Sequence, residues 1–124
     1  MAAASSVLPA VPSSVRVARA LAREVCADTA LSAAQRDLVV LLVSEVVTNA
    51  ILHAGSEARL SIATTPTSVR VEVGDDSREH PEVLHLGLTA SHGRGVGFLD
   101  RLADAWGVRD APDGKVVWFT VEAA

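Results

Sequence analysis

The stretch Leu38-Val-Val-Leu-Leu-Val-Ser-Glu45-Val-Val-Thr-Asn49-Ala-Ile-Leu-His53 decides how this chain reads. Leu38, Val39, Val40, Leu41, Leu42, Val43, Val46, Val47, Ala50, Ile51 and Leu52 make a helix that is apolar over most of its circumference. Such a helix belongs in a core. Yet Glu45, Asn49 and His53 recur at four-residue intervals. At about 100° per residue they form one stripe spread over about 80°. Leu38 and Leu42 lie on the same stripe nearer the N-terminus, so a polar row starts where an apolar row stops. Burying an unpaired carboxylate or amide is costly. One solution turns the row to water, with Glu45 and His53 paired to each other or to arginines and Asn49 capping a loop. The other lets the row line a cavity that holds a polar ligand. Three residues of these types on one face favour the ligand. Asn offers a neutral oxygen to a hard cation such as Mg²⁺, and Glu one turn away can accept a proton or orient a hydroxyl.

Working outward, Ser32 opens this helix, with Gln35 three residues later as its capping-box partner. The helix runs to about Ala54 and stops at Gly55, a C′ glycine. An earlier helix starts near Ser13, where Val15, Ala18, Leu21, Ala22 and Val25 recur at helical spacing. Downstream, residues 59–65 and 68–75 flank Pro66-Thr67 as a hairpin. Val69, Val71 and Val73 alternate with Arg70 and Glu72, which predicts a strand with one buried face. Residues 76–92 read as a loop. A glycine-rich segment, 93–97, leads into a third helix over 96–105. Strands over 106–110 and 115–122 flank a turn at 111–114. Residues 1–12 read as a tail or a short strand around Val7 and Leu8, and 13–124 as one domain. The expected fold is α+β, a two-layer α/β sandwich with a mixed, mostly antiparallel sheet covered on one face by about three helices.

Composition narrows the function. The 124 residues suffice for one compact domain. Hydrophobic residues make up 49% and mean hydropathy is +0.31, but aromatics are only 3%, so the core is built from small and branched side chains. Net charge is −4 and the pI about 5.5. The basic residues are scattered arginines plus Lys115, the single lysine. No basic patch is present to neutralise phosphates along a strand, which argues against direct nucleic-acid binding. Cys26 is the single cysteine and cannot form an internal disulfide; it reads as a small buried hydrophobe in a cytoplasmic protein. No apolar run approaches the roughly 20 residues that cross a bilayer, and the start lacks the basic region of a signal peptide.

Two further segments carry chemistry. Since Val69, Val71 and Val73 point inward, Asp75 does so by parity and requires a donor, such as an adenine amino group. Asp75-Asp76-Ser77 is also good turn chemistry, and from this segment alone a turn-forming Asp is the favoured reading. The segment His92-Gly93-Arg94-Gly95-Val96-Gly97 opens a helix. Glycines there let the backbone approach phosphates, the helix start supplies free N–H groups, and Arg94 adds a charge-assisted contact. The spacing is neither that of a dinucleotide fold nor that of a Walker loop. His80, His85 and His92 could join His53 in a metal site, but no cysteine pair or His-x-x-x-His helix supports it, so these three read as solvated loop histidines.

These pieces resemble one family in order and spacing over nearly the whole chain. Glu45-Val-Val-Thr-Asn49-Ala-Ile-Leu-His53 resembles the N-box of the GHKL (Bergerat-fold) ATPase superfamily. Val71-Glu-Val-Gly-Asp75-Asp-Ser is similar to its first, adenine-binding glycine box, and Gly93-Arg-Gly-Val-Gly97 to its second. Asp104-Ala-Trp106-Gly-Val and Gly114-Lys-Val-Val-Trp-Phe resemble the anti-sigma regulatory factor kinases, in their short actinobacterial form. The resemblance implies ATP and Mg²⁺ as cofactors and serine/threonine protein kinase activity. Asn49 would ligate Mg²⁺ through its amide oxygen, and Glu45 would be the catalytic base that activates the acceptor serine. Asp75 would receive the adenine amino group. Gly93, Arg94, Gly95, Val96 and Gly97 would wrap the phosphates, and His53 would face the phosphates or the lid. The implied partners are a sigma factor and an anti-sigma-factor antagonist, without membrane or direct nucleic acid; a homodimer is common among relatives.

The chain also departs from the family pattern. Ser77 and Glu79 stand where the first box usually has glycines, and Lys115-Val116 stands where the last strand often carries a threonine beside the adenine. A non-catalytic nucleotide- or protein-binding module of the same fold is therefore the second reading. The catalytic ATPase domain of a histidine-kinase-like system is the third, weakened by the absence of dimerisation and phosphoacceptor segments.

Overall fold

The computed structural model describes residues 2–77 and 99–124, with His53 described by its backbone alone. In chain order it contains β1 (Ala2–Leu8), α1 (Ser13–Cys26), α2 (Ala33–Asn49), a π-helical turn (Ala50–Ala54), β2 (Ala58–Thr65), β3 (Ser68–Asp75), β4 (Ala105–Ala111) and β5 (Gly114–Glu122). Residues 99–102 are helical. The five strands form one sheet in the order β1-β2-β3-β5-β4, and every pairing among the described residues is antiparallel. This is the expected α+β sandwich.

The helix boundaries follow from capping. The Ser32 hydroxyl accepts from the Gln35 backbone N–H at 3.1 Å, and the Gln35 side chain accepts from the Ser32 backbone N–H at 2.9 Å. The Gln35 amide also donates to the Glu122 carbonyl at 2.9 Å, which ties the start of α2 to the end of β5. At the other end Gly55 adopts φ +62°, the left-handed geometry that favours glycine. The last turn before it is π rather than α, so the azimuths that a 3.6-residue period assigns stop applying after Asn49.

The core is made as the composition requires. Val69, Val71 and Val73 of β3 and Val117, Phe119 and Val121 of β5 point to the helices and are buried, as are Leu60 and Ile62 of β2. Val39, Leu42, Val43, Val46 and Val47 of α2 meet them, with Ala18, Ala22 and Cys26 of α1. Among the described residues Phe119 is the one fully buried large aromatic. Cys26 is a buried free thiol, and burial pushes its pKa up, which keeps it neutral and unreactive. α1 packs on α2 and on β1 and β2, while α2 packs on β3 and β5. The Arg19 guanidinium pins the two helices by donating twice, at 3.1 Å each, to the buried Ser44 hydroxyl.

Two elements differ from the sequence expectation. Residues 2–8 form a seven-residue edge strand, longer than a short strand at Val7 and Leu8, in register from Ala2 opposite Thr64 to Leu8 opposite Ala58. Its Ala/Ser-rich sequence has little strand preference of its own; backbone pairing to β2 and burial of Leu8 hold it. The third helix ends before Ala105, because the Asp104 N–H donates to the Thr120 carbonyl at 2.9 Å and Ala105 already pairs with Thr120. The start of that helix lies outside the described residues.

Candidate functional site

The end of α2, which carries Glu45 and Asn49, and the end of β3, which carries Asp75, lie at one end of the sandwich. α2 and the π turn both pack on β3. Just past the turn, the Ser56 hydroxyl accepts from the Asp76 backbone N–H at 3.1 Å, which ties the end of the helix to the end of β3. Glu45 and Asn49 are half-buried on a helix whose neighbouring positions Ser44, Val46, Val47 and Ala50 are buried. Among the described residues neither side chain makes a hydrogen bond. Both remain partly open to solvent, and among the described residues no buried side-chain polar atom lacks a partner. π turns inside helices are frequent at functional sites, and this one begins immediately after Asn49. His53 lies in it, with its side chain outside the description.

Asp75 is inward-facing, as strand parity predicts, and its side chain is only 3% exposed. Its donor within the chain is Lys115, itself 6% exposed. Lys115 Nζ lies 3.0 Å from Oδ1 and 2.9 Å from Oδ2. The Ser77 backbone N–H donates to Oδ1 at 2.8 Å. β3 and β5 pair antiparallel with Asp75 directly opposite Lys115, so both side chains leave the same face. The β4–β5 turn crosses so close that a Cβ on Gly114 would overlap the Asp75 carbonyl oxygen. A buried ion pair of this kind spends much of its attraction on desolvation, and that makes it weak as a stabilising device unless it also serves another purpose.

Sequence reasoning placed Lys115 beside the base-binding position but did not join it to Asp75. The signals were available: Lys115 is the single lysine, it follows the turn glycine directly, and it opens the strand that pairs with β3. On the opposite, open face of the sheet, Glu72 accepts from Arg109 at 2.8 Å and from Arg70 at 3.1 Å. The Arg109 hydrogen bond, with a smaller contribution from Arg70, holds the Glu72 carboxyl below its ordinary pKa. Arg70 also stacks 4.5 Å from the Trp118 ring centroid.

The residues present fit a nucleotide with its metal. A buried carboxylate suits a base amine, the Asn49 amide oxygen suits a hard cation, and Glu45 is a carboxylate without a described partner. Gly93, Arg94, Gly95, Val96 and Gly97 lie outside the described residues, as do His80, His85 and His92. A separate surface cavity of about 290 Å³ between α1 and α2, lined by Arg19, Arg23, Asp37, Val40, Leu41 and Ser44, contains none of the predicted site residues.

Residues 8–121 match the family described as the histidine kinase-like ATPase domain. The chain belongs to that family. Among solved structures it is similar to the crystal structure of the RsbU and RsbW domains of Rv1364c from Mycobacterium tuberculosis, with a TM-score of 0.75 and 19% sequence identity. That match covers 98% of this chain and 32% of the other, so this chain spans about a third of its length. At that identity the likeness is one of fold. No curated protein matches the chain. Among the described residues no helix is long and apolar enough to cross a membrane.

Proposed function

We propose that this chain is an ATP-binding, anti-sigma regulatory serine protein kinase of the cytoplasm, which binds a sigma factor and phosphorylates a serine of its antagonist. One observation carries the reading. In a chain of the histidine kinase-like ATPase family, a buried carboxylate at the end of β3 lies at the same end of the sheet as two partly buried polar side chains of α2 that have no partner among the described residues.

Bound ATP and Mg²⁺ would supply the transferable phosphoryl group and neutralise its charge. Phosphoryl transfer asks the protein mainly for positioning and electrostatics, and each residue has a role of that kind. Asp75 accepts from the base and orients it. Asn49 offers its amide oxygen to the cation. Glu45, one turn from Asn49, accepts the proton of the acceptor serine hydroxyl. The backbone amides of Gly93, Gly95, Val96 and Gly97, with Arg94, would wrap the phosphates, and His53 would face the phosphates or the lid.

A second reading, a non-catalytic nucleotide- or protein-binding module, is favoured by the Lys115 ammonium already seated on Asp75 and by Ser77 and Glu79 at glycine positions. The test is thermal stability on titration with ATP and Mg²⁺, since a ligand of the folded state must stabilise it, by about 2.7 kcal/mol at a hundredfold excess over Kd. The kinase reading expects a shift that requires Mg²⁺ and is lost in Asn49→Ala and Asp75→Asn. It also expects Glu45→Ala to retain the shift and lose phosphotransfer to an antagonist protein. Stabilisation without phosphotransfer in the unmodified chain leaves the module reading; no shift at millimolar nucleotide rejects the nucleotide site altogether.

A further inference from the structure

The Asp75–Lys115 pair has hydrogen-bonding capacity left over. A carboxylate offers about four lone-pair sites. Here Oδ1 takes Lys115 Nζ and the Ser77 N–H, and Oδ2 takes Lys115 Nζ. Among the described residues one site on Oδ2 stays available. The ammonium has three N–H donors, and the two carboxylate contacts use at most two of them. Among the described residues the third has no partner. Among the described residues the pair therefore keeps capacity for one further acceptor contact and one further donor contact on two adjacent groups, with no net charge, in a place nearly closed to water.

That pattern is complementary to the edge of a 6-aminopurine, where the exocyclic N–H donor adjoins the ring N1 acceptor. We propose that Lys115 is a base-reading residue: it donates to N1 of the adenine whose 6-amino group Asp75 accepts, without leaving Asp75. The inference rests on the nucleotide reading above. It makes Lys115 a specificity determinant rather than a plug. A 6-oxopurine in the same pose inverts both positions, setting its O6 against the carboxylate and its N1–H against the ammonium.

The experiment compares ATP with 1-deaza-ATP, in which N1 is replaced by C–H and the 6-amino group is kept, by calorimetry with Mg²⁺ on the full chain. A charge-assisted hydrogen bond contributes about tenfold or more in affinity. The expected result is ATP binding at least about tenfold tighter than 1-deaza-ATP, with the ratio near one in Lys115→Met. Should Lys115→Met not fold, Lys115→Gln keeps an amide donor against Asp75 without the charge, and its ratio falls clearly below that of the unmodified protein. Equal binding of the two nucleotides to the unmodified protein overturns the proposal. So does an undiminished ratio in the variants, which assigns the N1 contact to another group such as a water. Absence of ATP binding fails the nucleotide reading itself, and this inference with it.

Discussion

Removing the Lys115 ammonium should be among the most destabilising single changes available in this chain. In Lys115→Met the methionine fills the space of the aliphatic stem, so the change isolates the charge. The Asp75 side chain is 3% exposed. It would keep only the Ser77 N–H on Oδ1, and Oδ2 would lose its described donor. Breaking a buried pair by deleting one partner costs about 3–5 kcal/mol. Set against a total stability of about 5–15 kcal/mol for a domain, that is a large fraction. With a urea m-value of about 2 kcal/mol/M, the midpoint falls by about 2 M at unchanged m. Asp75→Val, which continues the inward row of Val69, Val71 and Val73, should cost less, because a lysine stem can carry its ammonium toward water. The double variant Asp75→Val/Lys115→Met should recover most of the loss, since replacing a buried pair by apolar groups is often neutral or stabilising. Urea denaturation of all four proteins closes the cycle. A loss under about 1 kcal/mol in Lys115→Met, or a double variant no more stable than the worse single one, would show that water reaches the pair and that the burial argument is wrong.

Ser32→Ala removes the α2 capping box and should cost about 1 kcal/mol, a fall in Tm of about 3–6 °C; an unchanged Tm would mean that packing alone sets the start of that helix. Gly107→Ala places a Cβ 2.8 Å from Trp118 Nε1, so the indole must move off Arg70, with a cost of about 0.5–1 kcal/mol for the lost stacking. Near-UV circular dichroism should change while far-UV signal stays constant. Glu72 gives a pH dependence. Its folded pKa lies below the ordinary 4.5, so its stabilisation is fully present above that value and is lost as pH falls through the folded pKa. The pair partners are partly exposed, which limits the contribution to about 1 kcal/mol. In acid denaturation below about pH 4.5, Glu72→Gln should lie closer to the unmodified protein than at pH 7, and a constant gap would remove Glu72 from the acid response.

Much of the fold was legible in local pattern. The Ser32 and Gln35 cap, the Gly55 stop, the alternation in β3 and the turn at Gly114 are each decided within a few residues, by hydrogen-bond geometry or side-chain period. The α+β class followed from their order. The candidate site drew on the same kind of pattern: Glu45 and Asn49 stand out because their chemistry conflicts with an apolar helix, and Asp75 because parity turns a charge inward.

What local pattern could not supply is pairing between distant segments. Residues 2–8 have a tail-like composition and become a strand through backbone pairing to β2, from Ala2 opposite Thr64 to Leu8 opposite Ala58. The π turn after Asn49 has no sequence period that separates it from the α-helix it ends. The partner of Asp75 comes from a strand 40 residues downstream, set opposite by the register of β3 and β5 and pressed close by the turn at Gly114. Parity told which way Asp75 points, because parity is a property of one strand. Which charge meets it is a property of two strands, and only the folded sheet decides that.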